Sequence, residues 1–216
     1  MVKQRRSQID SSKRRQILPK EIRRKQLIRA TMGRIAEVGL SQVTLSAVTQ
    51  KAGLSQGIAN LHFDSKDNLL VETLKFVTDE YNLGLQQILS GTGYLSAQAK
   101  LQALVQFQFS RSVTEETKMA VWFAFYGEAK SRPTYQSICA DSDRRAALGM
   151  KTLMTAVSEE LGHDIDTAFV TDGYIALIDG LWLSLLLSPR KLSRVKAKQV
   201  VFQYLKGVFP LWSDVR

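Results

Sequence analysis

The chain has 216 residues with an apolar share of 44%, which suits one compact domain or two small ones with a real core. Cys139 is its only cysteine, which excludes an intrachain disulfide and fits a reducing cytosol. The net charge of +10 is concentrated at one end: residues 1–29 hold eleven basic and two acidic side chains, a local charge of +9, so a polyanion near the N-terminus is the natural partner.

Residues 1–19 read as a basic flexible tail. The charged start has no apolar run behind it, so it is not a signal peptide. Arg5, Arg6, Lys13, Arg14 and Arg15 are expected to add salt-sensitive, sequence-blind affinity for phosphates, against the alternative of a merely solvated tail. Pro19 marks the start of the folded part. A first helix is expected over about 20–38, with Leu27, Ala30, Thr31, Arg34, Ile35 and Val38 as its stripe.

Thr44 can cap a second helix, in which Leu45, Val48 and Ala52 form one apolar stripe. Gly53 sits where that helix must stop and reverse, a place favouring positive φ. Ser55 can cap a third helix, with Ile58, Leu61 and in part His62 facing inward. Gln56, Gly57, Ala59 and Asn60 are left on the outer side. Two helices around a short glycine turn, the second with small and polar outer residues, fit a helix-turn-helix that reads DNA. An ordinary helical hairpin has the same outline.

Ser65 opens a long fourth helix to about 89, lined by Leu69, Leu70, Thr73, Leu74, Val77, Tyr81, Leu85 and Ile88. Gly91-Thr-Gly93 breaks the pattern and separates the DNA-binding unit and its long helix from the C-terminal half. The periodicity then predicts helices over about 96–113, 115–130, 134–161, 165–188 and 193–208. The expectation is therefore an all-α chain: a tail (1–19), a helix-turn-helix domain (20–64), and a helical ligand-binding and dimerisation domain (65–216) whose segment 65–90 is the connecting helix. The apolar run Gly180–Ser188 is too short to span a bilayer. Cys139 reads as a small core residue.

Residues 22–75 closely resemble the N-terminal domain of TetR-family transcriptional repressors. The resemblance rests on Ile28-Arg-Ala-Thr, Gly39-Leu, Thr44-Leu, Ala52-Gly-Leu-Ser-Gln-Gly, His62-Phe63 and Ser65-Lys66-Asp-Asn-Leu-Leu. Met119–Tyr126, Ser142-Asp-Arg-Arg145 and Leu177–Leu183 resemble the corresponding segments of the BetI type within that family, which governs choline-to-glycine-betaine genes. The resemblance implies a cytoplasmic homodimer that holds a pseudo-palindromic operator and releases it when a small effector, choline or a related quaternary amine, shifts helix 4. The alternatives are a TetR-type regulator answering to another effector, and a ligand-independent structural DNA-binding protein.

For DNA, Gln56 and Asn60 carry amides that can pair with adenine edges, and Thr44 and Lys66 stand at helix starts where phosphates are held. Ser55 and Gly57 share that surface, and His62 ends the helix in a phosphate or packing role. Many relatives carry Tyr at the position of Asn60, which bears on operator sequence. For dimerisation, Gly173, Ala176, Gly180 and Ser184 give helix 8 a small-residue face, beside Val201, Leu205 and Val208 of helix 9; packing within one chain is the alternative.

For the effector, Trp122, Phe125 and Tyr126 on helix 6 face Asp179 and Trp182 on helix 8. A quaternary ammonium has no hydrogen-bond donor, so ring faces and one carboxylate must hold it. The alternative is plain core packing, with Asp179 paired to an arginine such as Arg144. The chain carries two histidines, His62 and His163, and no HExxH, CxxC, GxSxG or P-loop pattern, so neither an enzyme, a cofactor nor a metal site is expected.

Overall fold

The computed structural model describes residues 20–212, so the basic tail falls outside the described part. Nine α-helices make up those residues: α1 (Lys20–Val38), α2 (Leu45–Ala52), α3 (Gln56–Phe63), α4 (Lys66–Leu89), α5 (Ala97–Gln108), α6 (Glu116–Ala129), α7 (Pro133–Leu161), α8 (Thr167–Leu187) and α9 (Arg194–Val208). Their starts are chemically marked. Ser65, Ser96 and Ser193 each accept a first-turn amide through the side chain, and Asp166 accepts two. Gly162 ends α7 at φ 66°, a left-handed conformation that the absence of a side chain makes cheap.

The apolar faces collect into two clusters. One joins α1, α2, α3 and the first half of α4, around Leu27, Ile28, Leu69 and Leu74. The other joins the end of α4 to α5, the later part of α7, α8 and α9, around Leu101, Met154, Tyr174 and Leu205. Three helices serve both. α4 runs from Leu69 in the first to Leu85 in the second, and α7 runs from Tyr135 and Cys139 to Val157. α6 sends Val121 and Phe125, both fully buried, into the N-terminal cluster and Met119 into the other. Cys139 is buried there as the small core residue its spacing suggested.

Two expectations need correction. The fifth helix ends at Gln108 rather than near 113. The Gln108 carbonyl accepts Trp182 Nε1 at 3.0 Å, and the chain turns through Ser110, whose carbonyl accepts the Thr114 amide at 2.9 Å. In α9, Val201 and Leu205 are fully buried in the chain's own C-terminal cluster, so that stripe belongs to the fold of one protomer.

α8 is long and apolar enough, by length and composition, to cross a membrane. In the fold Val170, Tyr174, Ile178 and Trp182 are core residues, whereas Phe169, Leu183 and Leu187 of the same helix are exposed.

Phe125 meets Tyr135 edge-on, with ring centroids 4.9 Å apart. Truncation to Ala is expected to cost about 3–5 kcal/mol, the usual range for a buried phenylalanine. Urea unfolding of Phe125→Ala checks this; a loss below about 1 kcal/mol contradicts the packing described.

Candidate DNA-reading surface and ligand cavity

The helix-turn-helix is set by three local devices. Thr44 Oγ1 accepts the Ala47 amide at 3.2 Å, Gly53 closes α2 at φ 64°, and Ser55 Oγ accepts the Ile58 amide at 3.4 Å. The unit is then pinned to its neighbours. Gln26 donates to the Ala52 carbonyl at 2.6 Å, joining α1 to the end of α2. Glu37 accepts Lys51 at 2.7 Å and Arg34 at 2.6 Å, and these two cations hold its carboxyl below the usual range. Arg24 pairs with Glu72 of α4 and lies over the Phe63 ring.

α3 presents Gln56, Gly57, Asn60 and Leu61 outward. The expected phase of this helix was wrong at two positions: Ala59 is buried (1% exposed) and Leu61 is 75% exposed. The Ala59 methyl lets α3 lie close on its neighbours, and Phe63 fills the inner end of the helix. His62 is half-buried, and its pKa is lowered by burial and then by Lys20, Arg23 and Arg24 of α1. Its ring lies against that of Phe63, with centroids 6.2 Å apart. Lys66 is exposed at the start of α4 and donates to the Val43 carbonyl at 3.3 Å. Thr44, Ser55, Gln56, Gly57, Asn60 and Lys66 are all exposed.

In the other half, α4, α6, α7 and α8 line a cavity of about 310 Å³ that is open to solvent beside Asp143 and Asp179. Tyr81, Trp122, Tyr126 and Trp182 supply its rings. Tyr81 meets Trp122 and Trp182 edge-on at 5.9 and 5.5 Å, while Trp122 stacks on Tyr126 at 5.5 Å. Trp182 is fixed by its hydrogen bond to the Gln108 carbonyl, and Gln108 also accepts the Tyr174 hydroxyl. Of the five expected ligand residues, Trp122, Tyr126, Asp179 and Trp182 line this cavity together. Phe125 does not: it points into the N-terminal cluster, because one helical face cannot serve the cavity and the α1 contact at once. Sequence reasoning missed Tyr81, placed on the α4 stripe only as packing, and Asp143, whose only signal was its place beside Arg144 and Arg145 in a recognised segment.

Two carboxylates enter the cavity. Asp143 accepts the Tyr126 hydroxyl, and burial raises its pKa. Asp179 is pushed up to about 6 by burial and by the charge of Asp143. Among the described residues no cation pairs with either. Arg144 lies at the cavity edge but turns to Asp141 at 3.6 Å, so the Asp179–Arg144 pair of the alternative reading is not formed. The box thus holds negative charge among ring faces with no counter-charge paired to it among the described residues. At neutral pH this is a cost to the fold, because Asp179 must ionise where ionisation is disfavoured. Asp179→Asn is therefore expected to stabilise the unliganded protein by about 1 kcal/mol, after allowance for solvent screening on its exposed side. That is roughly 2–4 °C in Tm for a chain of this size. Thermal unfolding at pH 7.5 and pH 5 checks it: the gain should shrink at the lower pH, where Asp179 is already protonated.

On the outer side of α8, Gly173, Ala176, Gly180 and Ser184 are all exposed. Gly173 is used within the chain, since a Cβ there would come 2.7 Å from the Tyr204 hydroxyl of α9. Ala176, Gly180 and Ser184 remain uncovered, continuous with the exposed Leu183 and Leu187.

Comparison with known proteins agrees with both halves. Residues 27–73 match the family of bacterial regulatory proteins, tetR family, and residues 97–210 match the BetI-type transcriptional repressor C-terminal family. The regulator BetI of Proteus mirabilis is 33% identical over 198 residues, covering 89% of this chain and 94% of that protein. BetI of Escherichia coli K12 is 30% identical over 189 residues, covering 88% and 95%. A putative transcriptional regulator from Pseudomonas aeruginosa PAO1 superposes with a TM-score of 0.79 at 26% identity, covering 92% of this chain and 95% of that one. A putative regulator from Saccharomonospora viridis, solved in complex with choline, superposes with a TM-score of 0.72 over 86% and 96%; at 21% identity it carries the fold. Regulators of this family bind operator DNA, act as dimers and answer to small molecules. The chain belongs to the TetR family as a DNA-binding transcriptional repressor with a BetI-type C-terminal domain.

Proposed function

We propose that a quaternary ammonium of the choline type lifts this repressor from its operator, acting from the cavity bounded by Tyr81, Trp122, Tyr126 and Trp182. The observation that carries this reading is the pair of carboxylates, Asp143 and Asp179, set among four rings and, among the described residues, paired with no cation, since the nearby Arg144 pairs with Asp141. A cation without hydrogen-bond donors is held by ring quadrupoles, each contact giving about 0.5–2 kcal/mol, and by unpaired negative charge. The choline complex of the Saccharomonospora viridis regulator supports the choice of ligand.

The cytoplasmic dimer forms through the small-residue face of α8, from Ala176 to Ser184, and its two-fold axis matches a pseudo-palindromic operator. Each protomer places α3 in a major groove. Gln56 and Asn60 read base edges, and Thr44, Ser55 and Lys66 hold phosphates; the exposed Leu61 stands beside Asn60 as an apolar contact for a thymine methyl. The basic residues of the N-terminal tail add salt-sensitive affinity. Ligand in the box moves Tyr81 on α4 and Trp122 on α6. Both helices also enter the N-terminal core, so the spacing of the two recognition helices changes. The effector must bind the released state more tightly than the DNA-bound state by the full coupling free energy.

For DNA, Asn60→Ala is expected to cost about 1–3 kcal/mol at one base pair, whereas Lys66→Ala weakens all sites alike. Binding-site selection with each variant separates the two; an unchanged base preference in Asn60→Ala rules out its assigned role.

For the ligand, the sign follows from Asp179. Its carboxyl, at about 6, is ionised at pH 7.5 and largely protonated at pH 5, and a permanent cation prefers the ionised form. Choline affinity should therefore fall about tenfold from pH 7.5 to pH 5, as expected for one linked proton. Calorimetry on wild type and Asp179→Asn checks this: the variant should bind weakly with a flat pH profile. An equal pH dependence in both removes Asp179 from the site.

A further inference from the structure

Behind the ring wall lies a second cavity, of about 180 Å³, between α4, α5, α6 and α8. Tyr81, Trp122 and Trp182 line both spaces, so only a partition of aromatic rings divides them. The two differ in chemistry. The second is walled by Val77, Leu83, Phe107, Met119 and Phe123. Its rim charges, Glu80 and Lys118, neutralise each other at 2.6 Å, and Lys118 also donates to the Ser112 carbonyl at 2.8 Å. The floor is built for close approach: Gly84 has no side chain, and a Cβ there would come 2.4 Å from the Phe107 ring.

One space thus offers uncompensated negative charge among rings, and the adjoining space offers apolar walls with its charges already paired. That division is complementary to a molecule with a cationic head and an apolar tail. Within the divider Trp182 is held by its hydrogen bond to the Gln108 carbonyl, whereas Tyr81 is more weakly tethered. The Tyr81 hydroxyl accepts a single hydrogen bond, from Gln108 Nε2 at 3.4 Å, the long end of the range.

We propose that the two cavities are the head and tail compartments of one effector site, whose ligand is a quaternary ammonium bearing a short apolar chain that passes beside Tyr81. This rests on the ammonium reading of the first cavity and narrows it to a ligand class.

The test uses the full-length protein and calorimetric titration with choline and with methyl-, butyl-, hexyl- and octyltrimethylammonium. Affinity should rise by roughly fourfold per added methylene, as burial of one CH₂ predicts, and then level off when the apolar space is full. Leu83 stands at the rim and is 58% exposed, so Leu83→Trp can narrow the tail space with the core intact. That variant should keep the choline affinity of wild type and lose most of the gain with chain length. If choline binds wild type but affinity is flat across the series, the bipartite site is wrong while the acidic box stands. If the chain-length gain survives unchanged in Leu83→Trp, the tail does not lie here and the proposal is equally overturned. If wild type binds no quaternary ammonium at all, both readings fall together.

Discussion

Val121 and Phe125 on α6 are buried among side chains of the N-terminal core, and Trp122 and Tyr126, each one residue further on, stand in the wall of the proposed ligand cavity. A helix fixed on both sides in this way transmits rather than absorbs. Packed interiors do not deform continuously, so a ring displaced in the cavity must either tilt α6 or open a void beside Phe125. α4 repeats the arrangement, with Leu69 to Val77 in one cluster, Tyr81 in the partition and Leu85 in the other cluster. The N-terminal core and the proposed ligand cavity are thus joined by α4 and α6, with α7 also running between the two clusters.

The electrostatics of the box work against the unliganded fold. Two carboxylates share a small, ring-lined space, and each is held away from its ordinary ionisation by burial. A binding site of this kind stores its selectivity as an unfavourable term that the right cation removes. The Tyr126 hydroxyl, bonded to Asp143, orients one acid, while Asp179 has no ion-pair partner among the described residues.

The legible parts of the sequence were those in which chemistry is local. Thr44, Gly53 and Ser55 announced the caps and the turn because each acts through its own backbone and the next three residues. Helix spans came close for the same reason. The phase of α3 was harder. Eight residues make about two turns, and with Ile58, Ala59, Leu61 and Phe63 all apolar, burial is decided by how α3 sits on its neighbours. Phe125 was misplaced because helical spacing shows that residues share a side but not that two cores compete for it. Asp143 and Tyr81 come together with Asp179 only across three helices, and no spacing in one segment encodes that meeting.

The chain has three tryptophans, and their placement gives the molecule a built-in optical signal. Trp122 and Trp182 form the partition itself, the second with its indole N–H committed to the Gln108 carbonyl, while Trp212 lies apart beside Phe209. Emission from the first two depends on polarity and on nearby charge. A cation filling the acidic box would change both, whereas Trp212, remote from it, would serve as background. Occupancy of the proposed site should therefore be readable from the protein's own fluorescence, with no label required.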